Sequence, residues 1–559
     1  MFNFKKEIGL VFIISFTLLV SPCLVSADWS QTATFFTEPV YDLYDRSQVD
    51  AVLVQTTNKF YFYADKYWYD NLTDKNKLSN QIYTLATNFE YKTYPVLTSL
   101  LGSEDNPGLD NDSRLVVVLL PLKSNYGGYL RTADRYSRQD YPASNEGQVI
   151  FLNGDSLRQR PIDLLDYQLA HEFTHLIVLH QKPEANIWLQ ELYAELSPTL
   201  LQLSYNDNLL KKRAQDLLYS PEINLVSWNN SDKDYGKVKL FGQYLYEQYG
   251  SRIFSEALKD PSGDGVVSFN RSLFNHQAGI SFADIFLDWL ITNVINDCSV
   301  SDKYCYKTNT LSDFSIIPYT YYLPPQAQSS LSVTDSLSAW TGKWQKIIGG
   351  SGSLKLKFSL PQASPDFKIA YLIEDVEGKK TVNFLNFANT KTQEVYFQDM
   401  GTKNVAVYFI PVLGAANEEN QNYYYSWEAA NITSPEAEDE LIASLLAKIE
   451  ELRQEVNRLQ TQLAWRQNNS YNASSMLANS SSQTCGKFLR DLYYGLRSPE
   501  VQCLQQFLSG LDGIYPEKLI TGYYGPLTQA AVKRYQASKG IIATGYFGPL
   551  TRAQANQEL

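Results

Sequence analysis

His171-Glu172-Phe173-Thr174-His175, followed by Trp188-Leu189-Gln190-Glu191-Leu192-Tyr193-Ala194-Glu195, is the stretch on which the reading of this chain turns. On a helix, residues i and i+4 lie one above the other on one face, so the two imidazoles can converge on a single point. Glu172 borders that point, where a carboxylate can take a proton from water. Leu169, Phe173, Leu176 and Ile177 would form the buried side of the same helix, predicted over Asp163 to His180. The whole chain holds only four histidines, so two in this register are hard to ascribe to composition. The bland alternative is a structural histidine pair or an enzyme that has lost its activity.

A tetrahedral catalytic zinc takes three protein ligands and leaves one position to water. The second segment opens a helix predicted over Trp188 to Leu203 and offers two carboxylates on one face, Glu191 and Glu195. Glu191 is assigned as the third ligand. Glu195 then stands behind the ligands, accepting a hydrogen bond from a ligating histidine and setting its tautomer. The reverse assignment of the two glutamates stays open.

Around this stretch the pattern mixes strands and helices. Val52 to Tyr63, Leu115 to Leu120 and Val149 to Leu152 are rich in β-branched and aromatic residues, as strands are. Helical spacing marks Asn76 to Leu101, Gly236 to Tyr249 and Phe282 to Val294. An α+β domain over 28–310 is expected.

His-Glu-x-x-His followed by Trp-Leu-x-Glu-x-x-Ala-Glu resembles the gluzincins, zinc peptidases whose third ligand is a glutamate on a second helix. The resemblance covers about Val52 to Asn296, and its sharp motifs lie between His171 and Glu195. It implies a zincin-like fold, Zn2+ held by His171, His175 and Glu191, and Glu172 as general base. It also implies a tyrosine ahead of a later helix that steadies the oxyanion. Tyr235, in Asp234-Tyr235-Gly236-Lys237, is the corresponding residue. The Gly-x-Met-Glu-Asn motif of the aminopeptidase branch is absent. Asn145-Glu-Gly-Gln-Val-Ile-Phe-Leu152 occupies the equivalent place and resembles the edge strand of the hyicolysin-like branch. An edge strand can hold an extended peptide by backbone hydrogen bonds, which favours an endopeptidase acting on peptide or protein substrates.

Beyond the catalytic region the texture changes. Short runs between Leu354 and Trp427, divided by Gly, Pro, Asn and Asp, predict a β-sandwich over 330–430. Within 434–464, Ile442, Leu445, Ile449, Leu452, Val456, Leu459 and Leu463 keep a strict 3,4 spacing. Branched residues at a and leucine at d suit a parallel coiled-coil dimer through 442–463; a helix packed on its own sandwich, or a stalk, is the other reading. Residues 465–484 form a linker rich in Asn and Ser.

The last segment, 485–559, carries an internal repeat: Thr521-Gly-Tyr-Tyr-Gly-Pro-Leu-Thr528 recurs as Thr544-Gly-Tyr-Phe-Gly-Pro-Leu-Thr551. Each Gly-Pro should open a helix, because proline's φ suits the first helical position. Together with Ser498-Pro-Glu-Val-Gln-Cys-Leu-Gln-Gln-Phe-Leu508, these residues resemble the peptidoglycan-binding type 1 domain, a small bundle of three helices. That resemblance implies peptidoglycan as a partner and a place at the cell wall.

The bulk properties agree with such a multidomain chain. At 559 residues it exceeds one core, and 44% hydrophobic with 19% charged residues is a globular balance. A formal charge of −12 argues against nucleic acid and anionic membranes as partners. Lys5 and Lys6, the apolar run Ile8 to Val20 and Val25-Ser26-Ala27 read as an export signal over 1–27, hence a secreted or surface protein. The other four cysteines fall into two local pairs, Cys298 with Cys305 and Cys485 with Cys503, which predict disulfides in an oxidising compartment. The acidic stretches Glu104 to Asp112 and Asp260 to Asp264 do not fit the EF-hand spacing and read as solvated turns.

Three functions are compatible with these patterns: a wall-associated zinc endopeptidase, an enzyme that cuts peptidoglycan cross-links, and a non-catalytic wall-binding surface protein. The first is preferred, because the motif resembles protein-cleaving families.

Overall fold

Six strands explain how the apolar runs of the first half bury themselves. They are β1 (Thr32–Phe36), β2 (Gln48–Thr56), β3 (Phe60–Asp65), β4 (Leu115–Leu120), β5 (Gly128–Leu130) and β6 (Val149–Asn153), in the order β1-β2-β3-β4-β6-β5. β4 reads Leu-Val-Val-Val-Leu-Leu and is buried at every position. Such a run, lacking any polar alternation, belongs in the middle of a sheet covered on both faces. β3, β4 and β6 pair in parallel, whereas β5 lies antiparallel along β6. The sheet edge beside the site is therefore β5, and the strand predicted as the edge, ending at Leu152, is one place further in. An edge strand of three residues is too short to announce itself by periodicity.

These details come from a computed structural model, which describes residues 31–123, 126–276, 280–326, 328–414, 422–432, 449, 452–453, 456 and 485–559. The export signal at 1–27, the linker at 465–484 and most of the predicted coil at 434–464 lie outside the described residues. Of the heptad stripe, Ile449, Leu452 and Val456 are described; each is helical and exposed.

By internal contacts the chain divides into two units. The first comprises residues 1–217, 226–265 and 306–313, and the second residues 218–225, 266–305 and 314–559.

The first unit contains the sheet and helices α1 (Lys66–Asp70), α2 (Lys75–Asn88), α3 (Tyr94–Leu101), α4 (Gly154–Gln159), α5 (Ile162–Gln181), α6 (Ile187–Leu200), α7 (Asn206–Leu217), α8 (Asp232–Tyr249) and α9 (Arg252–Lys259). In α5, Leu165, Leu169, Phe173 and Leu176 are buried at helical spacing. Phe173 meets Phe89 at 4.8 Å and Tyr94 at 5.5 Å between ring centroids. α8 begins in a capping box, in which Ser231 and Asp234 each accept from the other's backbone N–H. This box starts the helix earlier than its apolar spacing predicts, so Tyr235 lies within the first turn and not ahead of it.

In the second unit, residues Glu222–Asn224, Tyr319–Leu323 and nine strands from Ser330–Leu337 to Tyr423–Ile432 are hydrogen-bonded as one eleven-stranded sheet. Two of these strands lie outside the predicted 330–430 range. The sheet turns over at one joint, where a single pair, Met400 and Asn404, connects its halves. The halves face each other: Phe409 packs against Phe358 at 5.4 Å and Trp427 at 5.0 Å. This is how a sandwich buries one face of each layer while its outer faces stay wet.

The wall module has helices Pro499–Ser509, Pro526–Ser538 and Pro549–Glu558, each with proline in its first turn. Its repeat has a mechanical meaning. Gln505 reaches from the first helix into the Thr521–Thr528 loop, where its Nε2 donates to Tyr523 O and Thr528 Oγ1 and its Oε1 accepts from Thr521 N and Gly522 N. Gln536 does the same for the second copy, donating to Tyr546 O and Thr551 Oγ1 and accepting from Gly545 N. Gly522 and Gly545 take φ of 69° and 75°, the left-handed region that side chains avoid. Gln505→Ala is expected to cost about 1–3 kcal/mol for each buried group left without a partner. A thermal melt of the module unchanged from wild type would show the glutamine to be dispensable.

Both predicted disulfides are present, Cys298–Cys305 and Cys485–Cys503. Among the described residues no helix is long and apolar enough to cross a membrane.

Candidate metal centre

α5 and α6 pack side by side in the first unit and bring three predicted residues to one point. His171 Nε2 and His175 Nε2 are 3.3 Å apart. Glu191 Oε2 stands 3.5 Å from the first and 3.7 Å from the second. Four ligands at about 2.0–2.1 Å in a tetrahedron are separated from one another by about 3.3 Å, so this triangle matches one face of a zinc coordination sphere. The donors, two imidazole nitrogens and a carboxylate oxygen, are those zinc takes. Glu191 Oε2 is buried and has no hydrogen-bond partner among the described residues, as an oxygen aimed at a cation would be. No other trio of His, Cys, Asp or Glu among the described residues brings ligand atoms this close.

The electrostatics ask for positive charge. Burial pulls the His171 pKa down, but the facing carboxylate of Glu191, with the charges of Glu172 and Glu195, overrides it and raises it to about 9. Burial takes His175 the other way, to about 4. Glu172 is 7% exposed; its burial, helped by the charge of Glu191, raises its pKa to about 7. A carboxylate so placed is poised to exchange protons near neutrality.

Gly128 of β5 runs directly beside Glu172. A Cβ there would lie 3.1 Å from Glu172 Cγ and 2.8 Å from the Phe151 carbonyl oxygen. The absence of a side chain lets the edge strand approach the carboxylate.

Behind the triangle, Glu195 is fully buried. Burial would raise its pKa, but the charge and hydrogen bonds of Arg213 bring it down to about 2. Arg213 grips it in a fork, Nε donating to Oε2 at 3.0 Å and Nη2 to Oε1 at 2.7 Å. Tyr167 Oη donates to the same Oε1 at 2.8 Å. Lys239 Nζ donates to the Glu195 carbonyl, Thr199 Oγ1 and Asn206 Oδ1. Glu195 Oε1 is 3.9 Å from His171 Nδ1, so it faces the imidazole as expected but lies beyond hydrogen-bond distance.

Tyr235 is not brought onto the triangle: its hydroxyl donates to Asn230 Oδ1 at 3.0 Å. Its ring covers the Arg213 guanidinium at 4.8 Å and meets Trp228 at 5.1 Å. Burial, with the charges of Glu191, Glu195 and Glu172, raises its pKa. His180 lies outside the centre, 3.7 Å from Asp105.

Sequence reasoning missed Arg213, Tyr167, Lys239 and Gly128. Tyr167 could have been found one turn before His171 on the same helical face. The other three come from separate elements and carry no local signal.

Residues 497–554 match the family model described as "Putative peptidoglycan binding domain". This match lies within the predicted C-terminal module, 485–559, and supports cell-wall association. No curated protein matches the chain. Similar solved structures include PliG, a periplasmic inhibitor of g-type lysozyme from Aeromonas hydrophila, at 9% identity over 20% of this chain and 96% of that one, with a TM-score of 0.14. Another is the M60 catalytic domain with two CBM51 domains of Clostridium perfringens ZmpB, at 8% identity over 69% of this chain and 60% of that one, with a TM-score of 0.24. At scores this low the likenesses assign neither fold nor chemistry. What belongs to a family on this footing is the C-terminal module, a peptidoglycan-binding domain at the end of a multidomain chain.

Proposed function

We propose that this chain is a wall-associated, zinc-dependent endopeptidase with a zincin-like catalytic domain of the gluzincin type. The observation that carries the reading is the triangle of His171, His175 and Glu191, whose edges and donor types suit zinc. Zinc held there supplies Lewis-acid chemistry toward a water molecule and a scissile carbonyl. Glu172, next in sequence to His171, accepts the proton of the attacking water and returns it to the leaving amine. β5 offers an open edge beside Glu172, along which an extended peptide can add by backbone hydrogen bonds. Tyr235 would reach a developing oxyanion only by leaving Asn230, so its part is to swing inward when substrate is bound. The peptidoglycan-binding module holds the enzyme at the wall.

The test is digestion of casein and of purified peptidoglycan by the full chain, zinc-loaded and after chelation. Chelator-sensitive cleavage of casein supports the endopeptidase. Release of muropeptides without casein cleavage would transfer the reading to a cross-link hydrolase. Turnover of neither would leave a non-catalytic wall-binding protein.

Gly128 offers a separate check on how closely β5 sets the position of Glu172. Gly128→Ala places a methyl against Glu172 Cγ and the Phe151 carbonyl. A displacement near 1 Å at a reacting group costs about 10²-fold in rate. Glu172 Cγ needs to give by only a few tenths of an ångström, so casein turnover should fall by less than that while zinc stays bound, and an unaffected rate would show that β5 does not set the position of Glu172.

A further inference from the structure

We propose that Arg213 is a positioning residue for the metal centre, orienting Glu195 and through it His171. The inference rests on the reading of His171, His175 and Glu191 as zinc ligands.

His171 Nδ1 is buried and has no hydrogen-bond partner among the described residues. A neutral imidazole carries its proton on one nitrogen, and the nitrogen that binds a metal must be the bare one. For Nε2 to serve the triangle, Nδ1 must hold the proton and face an acceptor. The acceptor placed to take it is Glu195 Oε1, at 3.9 Å.

That oxygen is not free to turn. Arg213 Nη2 and Tyr167 Oη both donate to Oε1, and Arg213 Nε donates to Oε2. A planar guanidinium bound through two N–H groups fixes the plane of the carboxylate, which a lysine's single ammonium cannot do. Lys239 does not substitute, because it bonds the backbone carbonyl of Glu195 and not its carboxylate. Arg213 is itself held: Nη1 donates to Asp216 Oδ2 at 3.4 Å, and the Tyr235 ring lies 4.8 Å from the guanidinium carbon. A single side chain of α7 thus holds the Glu195 carboxylate of α6 and reaches the first turn of α8, while Tyr167 supplies the tie from α5.

The experiment measures zinc affinity by chelator competition in the full chain, for wild type, Arg213→Lys, Glu195→Gln and the double variant. Outer-sphere partners of metal-binding histidines are worth about 10–100-fold in affinity. Arg213→Lys and Glu195→Gln should each lose about that much, and the double variant no more than the weaker single one, since Arg213 acts through Glu195. Wild-type affinity in Arg213→Lys, or losses that multiply in the double variant, would overturn the assignment. Near-ultraviolet circular dichroism reports folding. Should Arg213→Lys fail to fold, Tyr167→Phe takes its place. Removing that hydroxyl leaves the fork intact but loosens Oε1, so a smaller loss, again non-additive with Glu195→Gln, is expected, and unchanged affinity would count against the scheme. Wild type that binds no zinc would overturn the centre and this inference together, and that failure shows in wild type alone.

Discussion

Glu172→Gln should bind zinc as wild type does and lose casein turnover by about 10²–10⁴-fold, the range for removal of a general acid–base group. Glutamine keeps the size of the side chain, and Glu172 is not one of the three residues of the triangle, so metal affinity should hold. What is removed is the capacity to take and return a proton. Burial and the neighbouring Glu191 raise the Glu172 pKa to about 7, and the charge of an ion in the triangle would act in the opposite direction. The measurement pairs a zinc titration with casein kinetics on the same preparation. If Glu172→Gln turned over casein at the wild-type rate, Glu172 would have no role in the chemistry. If it lost zinc as well, the residue would act in holding the metal.

Removal of a triangle member should be more severe for the metal itself. His175→Ala and Glu191→Ala should each weaken zinc binding by more than the about 10–100-fold that outer-sphere changes cost, because one of three protein bonds disappears. Glu195→Ala is the informative comparison. Glu195 already accepts three hydrogen bonds from Arg213 and Tyr167, while Glu191 Oε2 has no hydrogen-bond partner among the described residues. Zinc affinity should therefore fall further in Glu191→Ala than in Glu195→Ala. The opposite order would exchange the two glutamates, the alternative that their shared helical face leaves open. Glu195→Ala carries a second signature. It takes from the buried Arg213 its two-bond partner and leaves only the 3.4 Å contact with Asp216, a loss of up to about 3–5 kcal/mol of stability, so its melting temperature should drop where that of Glu191→Ala does not.

The order in which these features become legible follows from their range along the chain. His171 and His175 are one helical turn apart, so their convergence is written in local geometry. Glu191 comes from the next helix, and its motif singles it out only together with Glu195; the packing of α5 on α6 is what carries one carboxylate to the imidazoles and leaves the other beneath Arg213. The strands of the second unit show in sequence because alternation and turn residues are local, but Tyr319–Leu323 and Glu222–Asn224 join that sheet from afar and were not foreseen. The edge strand was misplaced by one position for the same reason: β5 is three residues long, and only its pairing with β6 reveals it. The repeated Thr-Gly-Tyr motif was visible at once, whereas the glutamines that bind each copy lie in the preceding helix at different separations, 16 residues for Gln505 and 8 for Gln536.

By itself the sequence determined the chemistry on offer: a histidine pair on one helical face with a carboxylate between them, two glutamates on the next helix, two local cysteine pairs and a doubled wall-module motif. Those are short-range patterns, and backbone periodicity translates them directly into neighbours. The tertiary structure alone decided which glutamate meets the imidazoles, that Tyr235 turns toward Asn230, that Gly128 flanks Glu172 and that Arg213 grips Glu195. Contacts of that kind depend on how whole elements pack, and the energy that sets the packing is spread over many apolar residues, none of which marks the pair it brings together.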